Sequence, residues 1–350
     1  MEELPEDFCW KSYRELNDDL KNMNEEELSC HYKDYGHLEK RLYNYSQVST
    51  DINVFICCSG KSGSSTLHKT FINNGYKSLH CHGNHNFKMK SPIYKQFNLD
   101  LHELIELNSK KYDKIYIIDS YRTPIERKIS SFFQDNETIE NLENLENLEN
   151  LENLENLENL ENLENLENLE NLLNEQIIDL ENYSAINDVL NYYNLDYFTT
   201  FDFDKKYNIK TYKNIIFIKL RLEDVNYWSH ILSEIMNTSI TIYNDNLSVD
   251  KKYYNIYNIL KKKYKVPDFL LTLIKNNTDF KIYNNPHKQI QYLNYWNSRS
   301  KPYNYIFKNI PEDFDPEMYI KLNIDLVYFT LLEAKMHYNN TGYLENRKYK

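Results

Sequence analysis

Long apolar runs are what this 350-residue chain most plainly lacks. No stretch approaches the roughly 18 residues that a membrane span needs. The opening "MEELPEDFCW" is acidic and polar, without the basic start and apolar centre of a secretory signal. Cysteine is scarce and odd in number: Cys9, Cys30, Cys57, Cys58 and Cys81 follow no framework spacing, which argues against a disulfide scaffold and for a reducing compartment. Glycine is scarce as well, at six residues, in a composition skewed toward Asn, Lys, Ile and Tyr. A surplus of basic charge is also missing, with 53 acidic residues against 41 basic ones. The expectation is a soluble, cytoplasmic protein with no membrane span and no nucleic-acid partner.

That acidity is local. Residues 140–172 repeat "ENL" eleven times and supply eleven of the 53 acidic residues, which leaves 42 against 41 in the rest of the chain. The near-neutral remainder has room for a basic cleft that takes an anionic ligand. The tract itself cannot make a fixed apolar face: Leu at every third position advances about 300° around an α-helix, so the stripe slips by about 60° per triplet. Its period of three does not match the 3.5 of a coiled coil. It reads as a low-complexity surface insertion, either a solvated helix about 50 Å long or disordered, with no chemistry of its own.

The two ends of the chain are copies of one another. Residues 5–43 align without gaps to residues 311–349, with 17 of 39 positions identical, among them Phe8/Phe314, Tyr13/Tyr319, His31/His337, Gly36/Gly342 and Arg41/Arg347. Each copy reads as short helices, the second of them ("HY...G") ending at a C-cap glycine. A unit this short buries little core alone and is expected to pack on the central domain or on its twin. A structural collar and a glycan- or partner-binding role both fit it. The implied organisation is a helical module at 1–48, an α/β domain at 49–305 interrupted by the 140–172 insertion, and a second helical module at 306–350.

The middle alternates buried strands with amphipathic helices. Strands are predicted at 52–58 ("INVFICC"), 76–82, 114–121 ("KIYIIDSY") and 214–220 ("NIIFIKL"), and helices at 65–74, 99–111, 125–134 and 225–236. That pattern points to a mostly parallel sheet with helices on both faces, a three-layer α/β sandwich whose ligands sit at the carboxyl ends of the strands.

At the end of the first strand stands "CCSGKSGSST". A nucleotide-binding Walker loop needs Gly five positions before its final "GK", and here that position is Phe55, inside the strand. One step further on, Lys61, Ser62, Gly63, Ser64, Ser65 and Thr66 form a shorter phosphate cradle. Gly63 allows close backbone approach, the hydroxyls donate, Lys61 brings charge and the following helix points its N-terminus at the anion. A plain turn fits the same residues. A second feature lies after the third strand, where "YRTPIERKIS" puts Arg122 at the strand end and Ser130 eight residues on, about two turns into a helix opened by Pro124. An Arg fork and a Ser hydroxyl can clamp one phosphate from two sides; a surface helix with a satisfied Arg is the plainer alternative.

Strand–"KxG[ST][ST]"–helix followed by strand–"RxPxxxxxS"–helix resembles the paired motifs of the sulfotransferase family. The resemblance implies a P-loop-like fold that binds 3′-phosphoadenosine 5′-phosphosulfate, with the 61–66 loop on the 5′-phosphosulfate and Arg122 and Ser130 on the 3′-phosphate. Glu223-Asp224 looks like the "EDL" that follows a later strand in that family. "FDFDKKYNI" and "NLSVDKKYYNIYNILKKKYKVP" are similar to capsular polysaccharide synthesis proteins, a sulfotransferase-like group, and the end modules resemble small units found beside enzymes of bacterial polysaccharide synthesis. A carbohydrate acceptor is implied. Thr66 departs from the bulky residue that many members carry there.

Sulfonate transfer also needs a base for the acceptor hydroxyl. "LHCHGNHNF" follows the second strand, and the resemblance places a His or Glu base there. His82 is the first candidate, His80, on the same face, the second, and His85 the third. A histidine suits the task because its ordinary pKa lies near working pH. The same histidines with Cys57 or Cys58 invite a metal reading, but the spacing matches no common zinc pattern, and no metal is expected. Plain structural histidines are a further alternative. Two functional alternatives stand beside the transferase: a P-loop kinase, and a non-catalytic glycan-binding protein on the same fold.

Overall fold

The computed structural model describes residues 3–39, 41–133, 169–170, 173–174, 184–244, 254–302, 307–323, 326, 329 and 331–350. Apart from Leu169 and Glu170, the "ENL" tract lies outside the described residues. The chain gathers into two compact units, Met1–Thr123 with Asn182–Lys251 and Pro124–Glu181 with Lys252–Lys350. Among the described residues there are fifteen α-helices and a five-stranded mixed sheet.

The sheet belongs to the first unit. Its strands are β1 (Val54–Cys57), β2 (Ser78–Cys81), β3 (Ile115–Tyr121), β4 (Asn208–Tyr212) and β5 (Ile215–Arg221), in the spatial order β2-β1-β3-β5-β4. Neighbours run parallel except β4, which returns antiparallel to β5. Every residue of β1 and β3 is buried, as expected of strands covered on both faces. Alternate residues face two cores. Phe55, Cys57, Ile115, Ile117, Ile215 and Phe217 pack with Leu101, Leu104 and Ile105 of the helix Leu101–Ser109 and with Ile186, Val189 and Leu190 of Ala185–Tyr192. Val54, Ile56, Cys58, Ile118, Ile218 and Leu220 pack with Leu67 and Phe71 of Ser64–Asn73 and with Trp228, Ile231 and Leu232 of Trp228–Met236. Each such side chain contributes about 1.5–3 kcal/mol of burial.

Sequence reading missed β4. "NIKTY" alternates half-buried and exposed positions, the mark of an edge strand, and it joins β5 through a two-residue turn at Lys213 (φ 53°) and Asn214. Two helices in 84–97 were also missed. Asn84–Lys90 starts at Gly83 (φ 103°, ψ 171°), a backbone region open essentially to glycine alone, and Pro92–Phe97 is capped by Ser91. The helix Leu101–Ser109 begins in a reciprocal cap between Asp100 and Glu103.

The second unit is mainly helical, with one short parallel strand pair between Val266–Pro267 and Ser300–Lys301. Ile125, Ile129 and Phe132 of Pro124–Phe132 share a core with Tyr257, Leu260, Leu270, Ile274 and Trp296. Among the described residues no helix is long and apolar enough to cross a membrane.

One repeat copy lies in each unit, and both are built around the same knot. In the first, Tyr13 of the helix Trp10–Leu16 shares a hydrogen bond with His31 Nδ1 (2.9 Å) at the end of Glu25–His31, and Asn17 donates to the carbonyls of Tyr13 (2.7 Å) and Leu42 (2.9 Å). The second repeats this with Tyr319 and His337 (2.9 Å) and with Asn323 on the carbonyls of Tyr319 (2.8 Å) and Lys348 (2.9 Å). Phe8 and Phe314 each lie against the ring of the knot tyrosine, at 5.4 and 5.3 Å between centroids. The expected C-cap role for Gly36 and Gly342 is corrected: neither has positive φ, and each lies in a widened, π-type final turn. Glycine is required because a Cβ on either would stand 2.1 Å from the hydroxyl of Tyr13 or Tyr319.

The copies differ in what they dock. Copy one sends Leu16, Leu42 and Tyr45 against the core on the Phe55/Phe217 face of the sheet. Copy two instead places Leu332 and Met336 in the core of the helical unit; the corresponding positions of copy one are Glu26 and Cys30, both exposed.

Candidate functional site

The loop between β1 and the helix Ser64–Asn73 carries two left-handed residues, Lys61 (φ 65°) and Gly63 (φ 89°). Ser62 is buried between them, and its hydroxyl donates to the carbonyl of Ser59 at 2.7 Å. Ser64 and Thr66 are buried in the first helical turn, while Lys61 and Ser65 are partly exposed. Gly63 is doubly constrained. Besides its φ, a Cβ there would stand 2.8 Å from Leu222 Cδ1 and 3.0 Å from the indole of Trp228. Alternating backbone hands over a few residues turn successive N–H groups to one side, the arrangement that serves anions.

Trp228 is itself held. Its Nε1 donates to the carbonyl of Arg221 at 3.1 Å, at the end of β5. The Arg221 guanidinium is buried; it pairs with Asp224 (2.6 Å) and Glu223 (2.5 Å) and lies against Phe201 (4.7 Å) and Phe203 (5.1 Å). The Glu223-Asp224 pair noted in the sequence therefore braces Arg221. Leu222 and Trp228 form the wall behind Gly63, and Arg221, which like Trp228 the sequence reading did not single out, anchors that indole through its carbonyl. The available signal was an Arg closing an apolar strand just before two carboxylates, since a buried charge needs a partner.

Arg122 follows the last residue of β3, and its Nη1 donates to the Lys61 carbonyl at 3.0 Å. The strand-end arginine and the loop are thus joined at the carboxyl ends of neighbouring parallel strands. Ser130 lies partly buried on Pro124–Phe132, a helix of the second unit.

The two leading histidine candidates stand together, with ring centroids 4.7 Å apart and edge to face. They differ in chemistry. His82 Nδ1 donates to the carbonyl of Cys58 at 2.6 Å, which leaves Nε2 to carry the lone pair of the neutral ring. His80 has a buried Nε2 with no hydrogen-bond partner, and its ring also lies near His68 (6.0 Å), which bonds the Ser78 hydroxyl. Burial, with His82 and His68 adding repulsion, pushes the His80 pKa down to about 3. His80 is therefore neutral at working pH and a poor proton acceptor. His85 is exposed on the helix Asn84–Lys90.

A further polar cluster, unforeseen in the sequence reading, lies on the opposite face of the sheet from Cys58. Asp119 on β3 and Lys219 on β5 are in register and both buried, with Lys219 Nζ 2.6 Å from Asp119 Oδ2. The Ser184 hydroxyl donates to the same carboxylate oxygen. Asp119 is thereby committed to a lysine and a serine. Among the described residues no three His, Cys, Asp or Glu side chains are grouped to hold a metal ion. Comparison with protein-family models, with curated proteins and with solved structures found no match.

Proposed function

We propose that this chain is a sulfotransferase on a three-layer, P-loop-like α/β fold, moving a sulfonate group from 3′-phosphoadenosine 5′-phosphosulfate to a hydroxyl of a carbohydrate. The observation that carries the reading is the junction of loop and arginine: a cradle with left-handed Lys61 and Gly63, tied through the Lys61 carbonyl to Arg122. Lys61 with the amides of Ser62, Gly63, Ser64, Ser65 and Thr66 and the hydroxyls of Ser64, Ser65 and Thr66 would hold the 5′-phosphosulfate and meet charge that builds on the transferring group. Arg122, joined to the loop through the Lys61 carbonyl, is assigned the 3′-phosphate. The donor supplies an activated sulfonate on a phosphate leaving group.

His82 is the proposed base. Its Nδ1–H is fixed on the Cys58 carbonyl, so the ring keeps one tautomer with Nε2 ready to take the acceptor's proton. His80, held neutral, is assigned no proton transfer. The commitment of Asp119 to Lys219 and Ser184 weighs against a kinase, which would use a strand-end carboxylate on Mg²⁺. The carbohydrate acceptor rests on the end modules and on the likeness to capsular polysaccharide synthesis proteins.

Thermal melting with 3′-phosphoadenosine 5′-phosphate against ATP-Mg²⁺ tests the donor. The bisphosphate is expected to raise the melting temperature, and stabilisation by ATP-Mg²⁺ alone would overturn the reading.

A further inference from the structure

Three cysteines meet at the ends of β1 and β2, and none of their thiols has a part in the proposed transfer. Cys57 and Cys81 are the last residues of their strands and are register partners. Parallel neighbours lie about 4.8 Å apart, within the Cα range that a disulfide spans. Both side chains face the same core, and their sulfurs are 3.5 Å apart. Cys58 points to the other face, where its thiol meets the Ile118 carbonyl at 3.6 Å. Geometry therefore selects one pair out of three.

We propose that Cys57 and Cys81 are a redox-modification site, closed by peroxide into a disulfide that ties β1 to β2 at the root of the loop. Cys81, 5% exposed against 0% for Cys57, is oxidised first. Its sulfur attacks the peroxide, the O–O bond breaks, and a sulfenic acid and one water result. The Cys57 sulfur then attacks the sulfenyl sulfur; the S–O bond breaks, the S–S bond forms, and the departing hydroxide leaves with the Cys57 proton as a second water. Two thiols and one peroxide become a disulfide and two waters.

The surroundings set the speed. The hydrogen bond with Cys81 and burial push the Cys57 thiol up, so little thiolate exists at neutral pH and closure is slow. The same burial shields the finished bond from reductants, which makes the pair a latch. Its effect falls on the next residues along: Cys58, whose carbonyl orients His82, and His82 itself. The site stands on the cysteine geometry and requires neither the donor nor the transfer.

The full chain carrying Cys9→Ser and Cys30→Ser, which removes the exposed Cys30 and the partly exposed Cys9, is the material for the test. After hydrogen peroxide, alkylation and digestion without reductant, mass spectrometry is expected to find the peptides of Cys57 and Cys81 linked, two hydrogens lighter than their sum. Reductant after unfolding should restore them. The link should survive Cys58→Ser and vanish in Cys81→Ser, and the oxidised protein should melt several degrees higher than the reduced. Recovery of Cys57 and Cys81 as alkylated thiols after prolonged oxidation would overturn the proposal, and so would a link through Cys58.

Discussion

Replacing Gly63 by Ala puts the loop geometry under direct load. At φ 89° an L-residue meets its own carbonyl, at a cost of about 1–2 kcal/mol. The new methyl also needs space that Leu222 Cδ1, at 2.8 Å, and Trp228, at 3.0 Å, already occupy. Trp228 is fully buried and anchored through Nε1, so it has little room to withdraw, and overpacking of this kind adds about 1–3 kcal/mol. The sum is roughly 2–5 kcal/mol, equivalent to a fall of about 5–15 °C in Tm for a domain of this size. Gly60→Ala is the internal control: Gly60 is exposed, has ordinary φ and nothing within 4 Å of where the added methyl would stand, so its change should stay within about 0.5 kcal/mol. Thermal denaturation of both variants beside the parent decides the matter. Equal melting of Gly63→Ala and Gly60→Ala would refute the reasoning and, with it, the wall of Leu222 and Trp228 behind Gly63.

The repeat knot makes a coupling prediction. Gly36→Ala should cost about 2–4 kcal/mol with Tyr13 present and clearly less with Tyr13→Phe, because the Tyr13 hydroxyl is what a Cβ strikes first, at 2.1 Å; additive denaturation free energies would deny that contact. His80 makes a pH prediction. Its folded pKa of about 3 lies below the unfolded value near 6.5, so at lower pH the unfolded chain binds the extra proton. Stability should therefore be full above about pH 6.5 and fall by up to about 1.4 kcal/mol per unit toward pH 3. His80→Leu should flatten that slope in pH-dependent urea unfolding, and an unchanged slope would mean that His80 is solvated.

The parts of the fold that could be read from sequence are those where one periodicity dominated. β1, β3 and β5 are near-continuous apolar runs, and the helices at 64–73, 101–109 and 228–236 carry one apolar face each. β4 escaped because an edge strand needs no apolar run, and "NIKTY" gains its place by pairing with β5. The end repeats were visible as identity, but the reason for their glycines was not. A left-handed cap and a hydroxyl pressed onto Cα leave the same letter in the sequence, and only the position of Tyr13 or Tyr319 separates them.

At the candidate site, the nearness of Lys61 and Arg122 was legible because both follow the carboxyl ends of apolar runs that read as parallel strands, and the turn at Gly63 because glycine readily takes positive φ. The ranking of His82 over His80 gains physical content from the structure: one ring nitrogen held by a carbonyl, against another that is buried and unpartnered. Arg221 had a local signal in the two carboxylates that follow it, whereas the Asp119–Lys219 pair and the approach of Trp228 to Gly63 join residues far apart in sequence, and no local spacing announces such partners.

The most direct measurement is labelled-sulfate transfer from 3′-phosphoadenosine 5′-phosphosulfate to a panel of glycans, comparing the parent chain with Lys61→Ala and His82→Ala. Label is expected on a carbohydrate hydroxyl. Lys61→Ala should lower kcat/KM sharply, and His82→Ala should lower kcat by about 10²–10⁴-fold while donor binding persists. Binding of the donor with no transfer to any glycan, or transfer indifferent to both substitutions, would contradict the proposed function.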